Sequence, residues 1–222
     1  DANPGSNFVI ATLAGGKRDY EGIDLIFRKR FSNDWQVLSS YTWSDAEGNT
    51  NSDSNADFQG DVLFLDPRAP NQLGRQPGHI EHIFKVAGSM RLLDRLELGA
   101  VYNWNSGTAA SRTFRASRRN LPIRVPAGEE FEFAGFENRW IAPGTVGELE
   151  NPSYGVLDLR AEYGLPVWRT ELEMFVDVFN ATDEQSTIRQ QDLVTGLGGN
   201  AFGDAIQWVP PRRFFVGARV NF

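Results

Sequence analysis

The chain has 222 residues and a mass of 24.8 kDa, with 41% hydrophobic residues, 23% charged residues and a mean hydropathy of -0.39. This composition excludes a disordered chain, and no run approaches the roughly 18 consecutive apolar residues that a membrane-spanning helix needs. The formal charge of -7 argues against nucleic acid as the main partner, and the lack of cysteine excludes disulfides and thiolate chemistry.

Seven segments alternate apolar and polar residues with the period of two that is typical of β-strands. In chain order, the predicted strands cover residues 20–30, 35–43, 82–92, 96–105, 156–163, 170–179 and 213–222. All eleven prolines lie between these segments, as expected because proline cannot donate to a β-ladder. No long amphipathic helix is evident, so we predict an all-β, antiparallel fold.

Two architectures produce this alternation: a soluble sandwich with an apolar core, and a membrane barrel with lipid outside and a wet interior. The predicted connections alternate between short turns and loops of roughly 30 to 50 residues. Outer-membrane barrels have this asymmetry, with short periplasmic turns and long extracellular loops. Aromatic residues at both strand ends, such as Trp43 and Trp104 beside long loops and Trp35 and Trp168 beside short turns, would form two interfacial girdles. These features favour a transmembrane barrel.

The alternation has exceptions on both faces. Ser39 and Gly88 fall on the predicted lipid face, whereas four apolar residues fall on the lumen face: Leu38, Val101, Phe175 and Phe215. A large barrel accommodates such residues if its lumen holds another packed domain.

Seven is an odd number of strands, whereas bacterial single-chain barrels have even numbers. If the C-terminus is periplasmic, residues 1–16 are the remnant of an external loop, and residues 17–222 form the C-terminal part of a larger barrel. The first and last strands would then each lack a neighbouring strand on one side within this chain. We expect two exposed edges that would promote aggregation of the segment alone.

Several short motifs, in their order and spacing, resemble the late barrel strands of TonB-dependent outer-membrane receptors, particularly the Oar-like group. The resemblance covers about residues 17–222 and rests on Tyr20-Glu21-Gly22-Ile23-Asp24-Leu25, Arg28 to Trp35, Ser40 to Ser44, His82-Ile83-Phe84-Lys85, Asn105-Ser106-Gly107-Thr108, Leu157-Asp158-Leu159-Arg160, Asp177-Val178-Phe179-Asn180 and Pro211-Arg212-Arg213-Phe214.

This resemblance implies a 22-stranded barrel in the bacterial outer membrane, of which this chain supplies the last seven strands. It implies uptake of scarce ligands such as metal chelates, sugars or peptides, powered through TonB. The partners it implies are the upstream barrel strands, a plug domain, TonB, outer-membrane lipid and lipopolysaccharide, and the barrel-assembly machinery. The ligand itself is not identified by these residues.

The C-terminal strand carries the best functional motif. Its alternating apolar residues match the signal by which the assembly machinery recognises outer-membrane proteins: Phe214, Val216, Ala218, Val220 and the terminal Phe222. The alternative is an ordinary last strand with one apolar face.

One acidic stretch has oxygen ligands at alternate positions. Asp53, Asn55 and Asp57 match the first three ligand positions of an EF-hand calcium loop. Phe58 and Phe64 stand where that loop requires glycine and glutamate, so we favour a solvated loop over a metal site.

A basic run in the second long loop consists of Arg112, Arg115, Arg118, Arg119 and Arg124, of which the first four are the candidate ligand contacts. These side chains could contact an anionic ligand or lipopolysaccharide, but we favour a solvated loop. His79 and His82, three residues apart, would point to opposite faces of a strand, so a shared metal ion is not expected.

The sequence shows no spacing typical of a catalytic triad and no nucleophile elbow. We therefore expect no enzymatic activity, no catalytic residues and no cofactor. Two other classes stay open: an outer-membrane barrel enzyme, and a soluble extracellular β-sandwich that binds carbohydrate.

Overall fold

The computed structural model describes residues 15–49, 73–76, 78–116, 138–141, 146–168, 170–194 and 198–221. Every regular element in these residues is a β-strand: β1 (Arg18–Ser32), β2 (Trp35–Gly48), β3 (Gly74–Arg75), β4 (His82–Leu92), β5 (Leu96–Asn105), β6 (Ala109–Ala110), β7 (Thr113–Ala116), β8 (Asn138–Ile141), β9 (Leu149–Glu150), β10 (Tyr154–Val167), β11 (Thr170–Phe179), β12 (Thr187–Gln190), β13 (Ala205–Trp208) and β14 (Arg213–Asn221). In this part of the chain, no helix has the length and apolar character to span a membrane.

The seven longest strands form one antiparallel sheet in the order β1-β2-β4-β5-β10-β11-β14, and β3 pairs with the end of β2. These seven strands are the ones predicted from the alternation. Three two-stranded ribbons, β6–β9, β7–β8 and β12–β13, lie in the long connections. The sheet does not close on itself, because β1 and β14 each pair on one side only.

The strand register aligns the apolar residues of all seven strands on one face. Residues directly opposite each other in neighbouring strands share a face of the sheet. One such row contains Met90, Leu98, Ala161, Val176 and Val216. A row on the other face contains Arg28, Leu38, Ala87, Val101 and Asp158. A slip of one residue would exchange the two faces, so the sequence specifies this register strongly.

Two short turns use residues with positive φ at both central positions. Asn33 and Asp34 have φ values of 52° and 65°, and Leu93 and Asp94 have values of 53° and 56°. Asn33 and Asp34 form a two-residue turn between the paired Ser32 and Trp35, whereas three residues separate the paired Leu92 and Leu96. Positive φ values at a tight turn match the twist of antiparallel strands, and after glycine Asn and Asp tolerate them best. These turns place successive strands in register at one end of the sheet.

The prediction that every proline lies outside the strands is wrong for Pro166, which pairs with Glu171 near the end of β10. Beyond Tyr163, β10 has no further residue paired with β5. One edge of β10 is therefore free at Pro166, and proline is tolerated there because no ladder partner requires its missing N–H on that side.

Lys29 is an exception on the apolar face, where it pairs with Val37. Its Nζ lies 3.7 Å from the centroid of the Trp35 ring. It donates to the carbonyl oxygens of Ser32 and Trp35, at 2.7 and 2.8 Å, and to the Ser32 hydroxyl at 3.1 Å. The ammonium is thereby solvated by the neighbouring turn, which allows the lysine stem to lie on an apolar face.

The buried hydrophobic residues of the described chain are few and lie outside the sheet: Ala109, Val146, Leu193 and Val209. In contrast, large apolar side chains of the sheet are exposed, among them Leu25 at 61% and Val216 at 71%. The apolar face of the sheet therefore needs a cover that does not come from the described residues.

Candidate functional site

The long connections leave the sheet at one end and pack there against each other. We use the term loop layer for the described residues within 73–80, 106–112, 146–153 and 180–212. This region contains all four buried hydrophobic residues and most of the buried polar ones. An ordered layer of this kind, at the end of a sheet, is a usual place for binding residues held by a rigid scaffold.

The second long connection lies between β5 and β10, and the third lies between β11 and β14. The two meet around Asn151, which is 7% exposed. Its Nδ2 donates to the Thr108 hydroxyl at 2.8 Å, and its Oδ1 accepts from the backbone N–H of Gln190 at 2.8 Å. The backbone at Gly107 approaches the carbonyl oxygen of Asn151 so closely that a Cβ at residue 107 would overlap it. Glycine at this position permits the close crossing of the two segments.

Arg112, a predicted anion contact, is engaged with other parts of the loop layer. Its Nη2 lies 3.4 Å from Oε1 of Glu148, and its guanidinium lies 5.4 Å from the centroid of the Phe202 ring. The side chain remains 44% exposed. Arg112 thus links the second and third long connections and still presents part of its surface to solvent.

The other predicted site residues in the loops are described only in part. Arg115 lies in β7, and only its backbone is described. Arg118, Arg119, and the calcium candidates Asp53, Asn55 and Asp57 lie outside the described residues. Within the described ranges, no group of three or more His, Asp or Glu residues is placed to hold a metal ion.

The two histidines lie near the base of the loop layer in different surroundings. His82 Nδ1 lies 2.9 Å from the Tyr41 hydroxyl, and its Nε2 lies 3.6 Å from Oε1 of Glu81. The backbone carbonyl of His79 accepts a hydrogen bond from Ala109. The His82 side chain thus has polar partners, whereas the buried Nε2 of His79 has no hydrogen-bond partner among the described residues.

Asn180 forms the base of the third long connection. It is 3% exposed and has a φ of 52°. Its Nδ2 donates to the carbonyl oxygens of Glu184 and Pro210, both at 2.9 Å, and its Oδ1 accepts from the Glu184 N–H at 2.8 Å. Its backbone N–H donates to Asp158 Oδ1 at 2.8 Å. These bonds join β10 to both ends of the connection.

The sequence motifs around residues 158, 180 and 211 gave no indication of this network. The only signal was an asparagine directly after a strand, a position where a left-handed backbone is common.

Glu184, next to this base, has a lowered carboxyl pKa. The largest cause is the hydrogen bond that the Ser186 hydroxyl donates to Oε1 of Glu184, at 2.5 Å, and the Ser186 N–H donates to the same oxygen at 2.9 Å. Both donors favour the ionised carboxylate. The charge of Glu184 thus helps to fix the loop that follows Asn180.

The polar face of the sheet is concave and encloses a depression of about 790 Å³, lined in part by Arg28, Leu38, Val101, Asp158 and Arg160.

Arg160 has its donors engaged on this concave face. Its Nη2 donates to Glu162 Oε2 at 2.7 Å, and its Nη1 donates to both carboxylate oxygens of Asp177 at 3.2 Å. Its guanidinium lies 4.2 Å from the centroid of the Phe175 ring. The β10–β11 side of the concave face is therefore internally paired.

The residues of the predicted assembly signal occupy β14, and their partners are apolar. Phe214, Val216, Ala218 and Val220 pair with Val178, Val176, Met174 and Leu172, respectively. Phe222 lies outside the described residues. The described part of the motif thus forms the apolar face of an edge strand.

No family model and no curated protein matches this sequence. Solved structures do match. The siderophore receptor PiuA from Acinetobacter baumannii gives a TM-score of 0.53 at 15% identity, over 93% of this chain and 22% of the receptor. The ferric-catecholate import receptor Fiu from E. coli K12 gives 0.51 at 18% identity, over 93% of this chain and 21% of the receptor.

These likenesses concern the fold. This chain spans about a fifth of the length of the receptors it matches. The predicted fold class is confirmed: the chain is an all-β, antiparallel, unclosed segment with the fold of part of a receptor barrel.

Proposed function

We propose that this chain is the C-terminal part of the 22-stranded barrel of a TonB-dependent receptor in the bacterial outer membrane. The receptor binds a scarce ligand with the loop layer and imports it through the barrel, and the chain has no catalytic role. Residues 17–222 supply the last seven barrel strands, and residues 1–16 belong to an external loop.

One observation carries this proposal. The register places apolar side chains of seven strands on one exposed face and charged ones on the concave opposite face, in a sheet whose fold matches parts of a siderophore receptor and a ferric-catecholate import receptor. A soluble sandwich would cover the apolar face with a second sheet, and the described residues contain none that does so. In a membrane barrel, lipid would cover such an outward-facing apolar band.

The first test is the size and location of the native protein. An antibody against residues 150–180 should detect, in purified outer membranes, a species much heavier than 24.8 kDa. Recovery of the antigen from the soluble fraction would contradict the membrane assignment. A membrane species of 24.8 kDa would contradict the single-chain barrel.

The second test concerns import. Because the two neighbouring structures are receptors for siderophores and a ferric catecholate, ferric catecholates are the first ligands to test, followed by sugars and peptides. Cells that express the full-length protein should take up a radiolabelled ligand, and deletion of TonB should stop uptake but leave surface binding intact. Equal uptake with and without TonB would overturn energy coupling.

The basic run offers a variant for the same assay. Replacement of Arg112, Arg115, Arg118 and Arg119 by serine should weaken binding of an anionic ligand, because these residues belong to the long connection between β5 and β10, which we propose takes part in ligand binding. Replacement of Arg91 and Arg95, near a short turn, by serine is the control and should leave binding unchanged. Unchanged binding in the loop variant would remove these arginines from the proposed site.

Assembly can be tested through the last strand. Replacement of Phe222 by serine should slow insertion by the assembly machinery, because it removes the terminal aromatic residue of the proposed signal. Insertion is measured by the appearance of the heat-modifiable folded form in pulse-chase experiments. Replacement of Phe215, on the concave side of β14, by serine is the control.

A further inference from the structure

Arg112 lies at a point where the three long connections of the loop layer meet. Ser111, the residue before it, is 6% exposed, and its hydroxyl accepts from the Gly147 N–H at 2.8 Å. The Gly147 carbonyl oxygen accepts in turn from Nε of Arg75, in the first connection, at 3.0 Å. The backbone beside Arg112 is therefore held by the first and second connections, whereas the Arg112 side chain is 44% exposed.

The edge of the Arg112 guanidinium faces a carboxylate of its own connection. Nη2 of Arg112 lies 3.4 Å from Oε1 of Glu148, whose side chain is 35% exposed. Charge-assisted hydrogen bonds between arginine and a carboxylate are typically about 2.7 to 2.9 Å long, so this contact is loose. Because exposed pairs of this kind are weak, an oxyanion that binds two guanidinium donors at once would displace Glu148.

The face of the same guanidinium is covered by an aromatic ring from the third connection. The ring centroid of Phe202 lies 5.4 Å from the Arg112 guanidinium. Phe202 belongs to a tip in which Gly198, Gly199 and Gly203 have positive φ, and a Cβ added at any of these glycines would meet nothing within 4 Å. The tip is not packed at these positions, so the ring can move away from Arg112 without breaking packing there.

We propose that Glu148 and Phe202 form an autoinhibitory contact, which occupies Arg112 until an anionic group of the ligand takes the place of the Glu148 carboxylate. This proposal rests on the proposed function, since it concerns ligand binding by the loop layer. It restricts the ligand to a class that carries an oxyanion able to bind two guanidinium donors. A neutral sugar would not displace Glu148.

The test measures equilibrium binding to the full-length receptor in outer-membrane vesicles from cells that lack TonB, so that transport does not contribute. The probes are the trianionic ferric tris-catecholate complex and citrate, a trianion without an aromatic ring. The variants are Glu148→Gln, Phe202→Leu, Arg112→Ser and the combination of Arg112→Ser with Glu148→Gln. The control is Glu171→Gln, which makes the same charge change at the short-turn end of β11.

We expect Glu148→Gln and Phe202→Leu each to raise the affinity for at least one probe by about twofold to fivefold, as expected for the loss of an exposed ion pair or cation–π contact that competes with the ligand. Arg112→Ser should lower the affinity. Addition of Glu148→Gln to Arg112→Ser should bring no gain, because the arginine that Glu148 occupies is then absent. Glu171→Gln should bind as the parent does.

A purely structural clamp predicts the opposite sign, since its loss would disorder the loop layer and lower the affinity. Unchanged or lower affinity of Glu148→Gln would therefore overturn the autoinhibitory contact and leave the receptor assignment intact. An equal gain in the Arg112→Ser background would also overturn it, because Glu148 would then act through overall charge.

Two further outcomes separate this proposal from the proposed function. Binding of neither probe by the parent or any variant would overturn the anionic ligand class. Absence of the receptor from the outer-membrane vesicles would instead overturn the proposed function itself.

Discussion

The side-chain amide of Asn180 donates a 2.9 Å hydrogen bond to the carbonyl oxygen of Pro210, thirty residues further along the chain. This bond joins the two ends of the third long connection at the point where it leaves the sheet. The connection is therefore closed at its base, and two of its own hydrophobic residues, Leu193 and Val209, are buried.

We expect Asn180→Ala to destabilise the base by about 3 kcal/mol, since it removes three side-chain hydrogen bonds and leaves buried backbone groups without partners. The change is measured as the free energy of unfolding in urea, after refolding into lipid, together with protease cleavage within residues 181–212. Asn33→Ala is the matched control, because Asn33 has the same φ of 52° but lies exposed in a short turn. Equal effects of the two variants would show that backbone conformation, not the hydrogen bonds, matters.

The ionised carboxylate of Glu184 should make the stability of the loop layer depend on pH. Because its pKa is lowered from the usual 4.5, the stability it contributes is present above pH 4.5 and is lost as the pH falls through the lowered pKa. Ser186→Ala removes the larger cause and should move the loss to higher pH. Protease cleavage within residues 181–212 as a function of pH, in Ser186→Ala and the parent protein, measures the shift. Coincident profiles would refute this role of Ser186.

The crossing at Gly107 should tolerate no side chain. Gly107→Ala would place a Cβ on the Asn151 carbonyl, so we expect a cost at or above the upper end of the about 1 to 3 kcal/mol typical of overpacking. Thermal unfolding and protease sensitivity of the loop layer measure it. Gly99→Ala is the control, because its nearest neighbour, the Arg160 Cβ, would lie at an ordinary 3.6 Å. Wild-type stability of Gly107→Ala would mean that the two segments do not cross so closely.

Lys29 and Leu25 lie on the same face of β1 but should respond differently to charge. Lys29 is solvated by Ser32 and Trp35, so Lys29→Met should cost about 1 kcal/mol through the loss of hydrogen bonds. Leu25→Lys lacks such partners and should cost about 2 to 4 kcal/mol if Leu25 lies near the middle of the bilayer. Both are measured by urea unfolding in lipid vesicles. A smaller cost for Leu25→Lys than for Lys29→Met would argue that water, not lipid, covers this face.

The seven strands and their two faces could be predicted because alternation is a local property of the sequence. Leu38, Val101 and Phe215 were recognised as apolar residues on the polar face for the same reason, and the register places them there. Strand ends were less accessible, since β1, β2 and β10 extend beyond the alternating segments and Pro166 lies within one of them.

The contacts of the loop layer could not be predicted, because they join residues far apart in sequence. Arg112 meets Glu148 and Phe202, and Asn151 meets Gln190, only when the sheet has brought the connections together. Lys29 was missed for a different reason. Its position on the apolar face is tolerated because the irregular pairing between Lys29 and Ser32 turns backbone carbonyls towards its ammonium.

The confinement of the buried hydrophobic residues to the loop layer has a thermodynamic consequence. The described residues bury apolar side chains most completely there, Leu193 above all, so the loop layer should contribute strongly to the positive heat-capacity change of unfolding. Hydrophobic stabilisation weakens on cooling. Cold should therefore loosen the loop layer before the strands, whose apolar face would contact lipid in the proposed barrel.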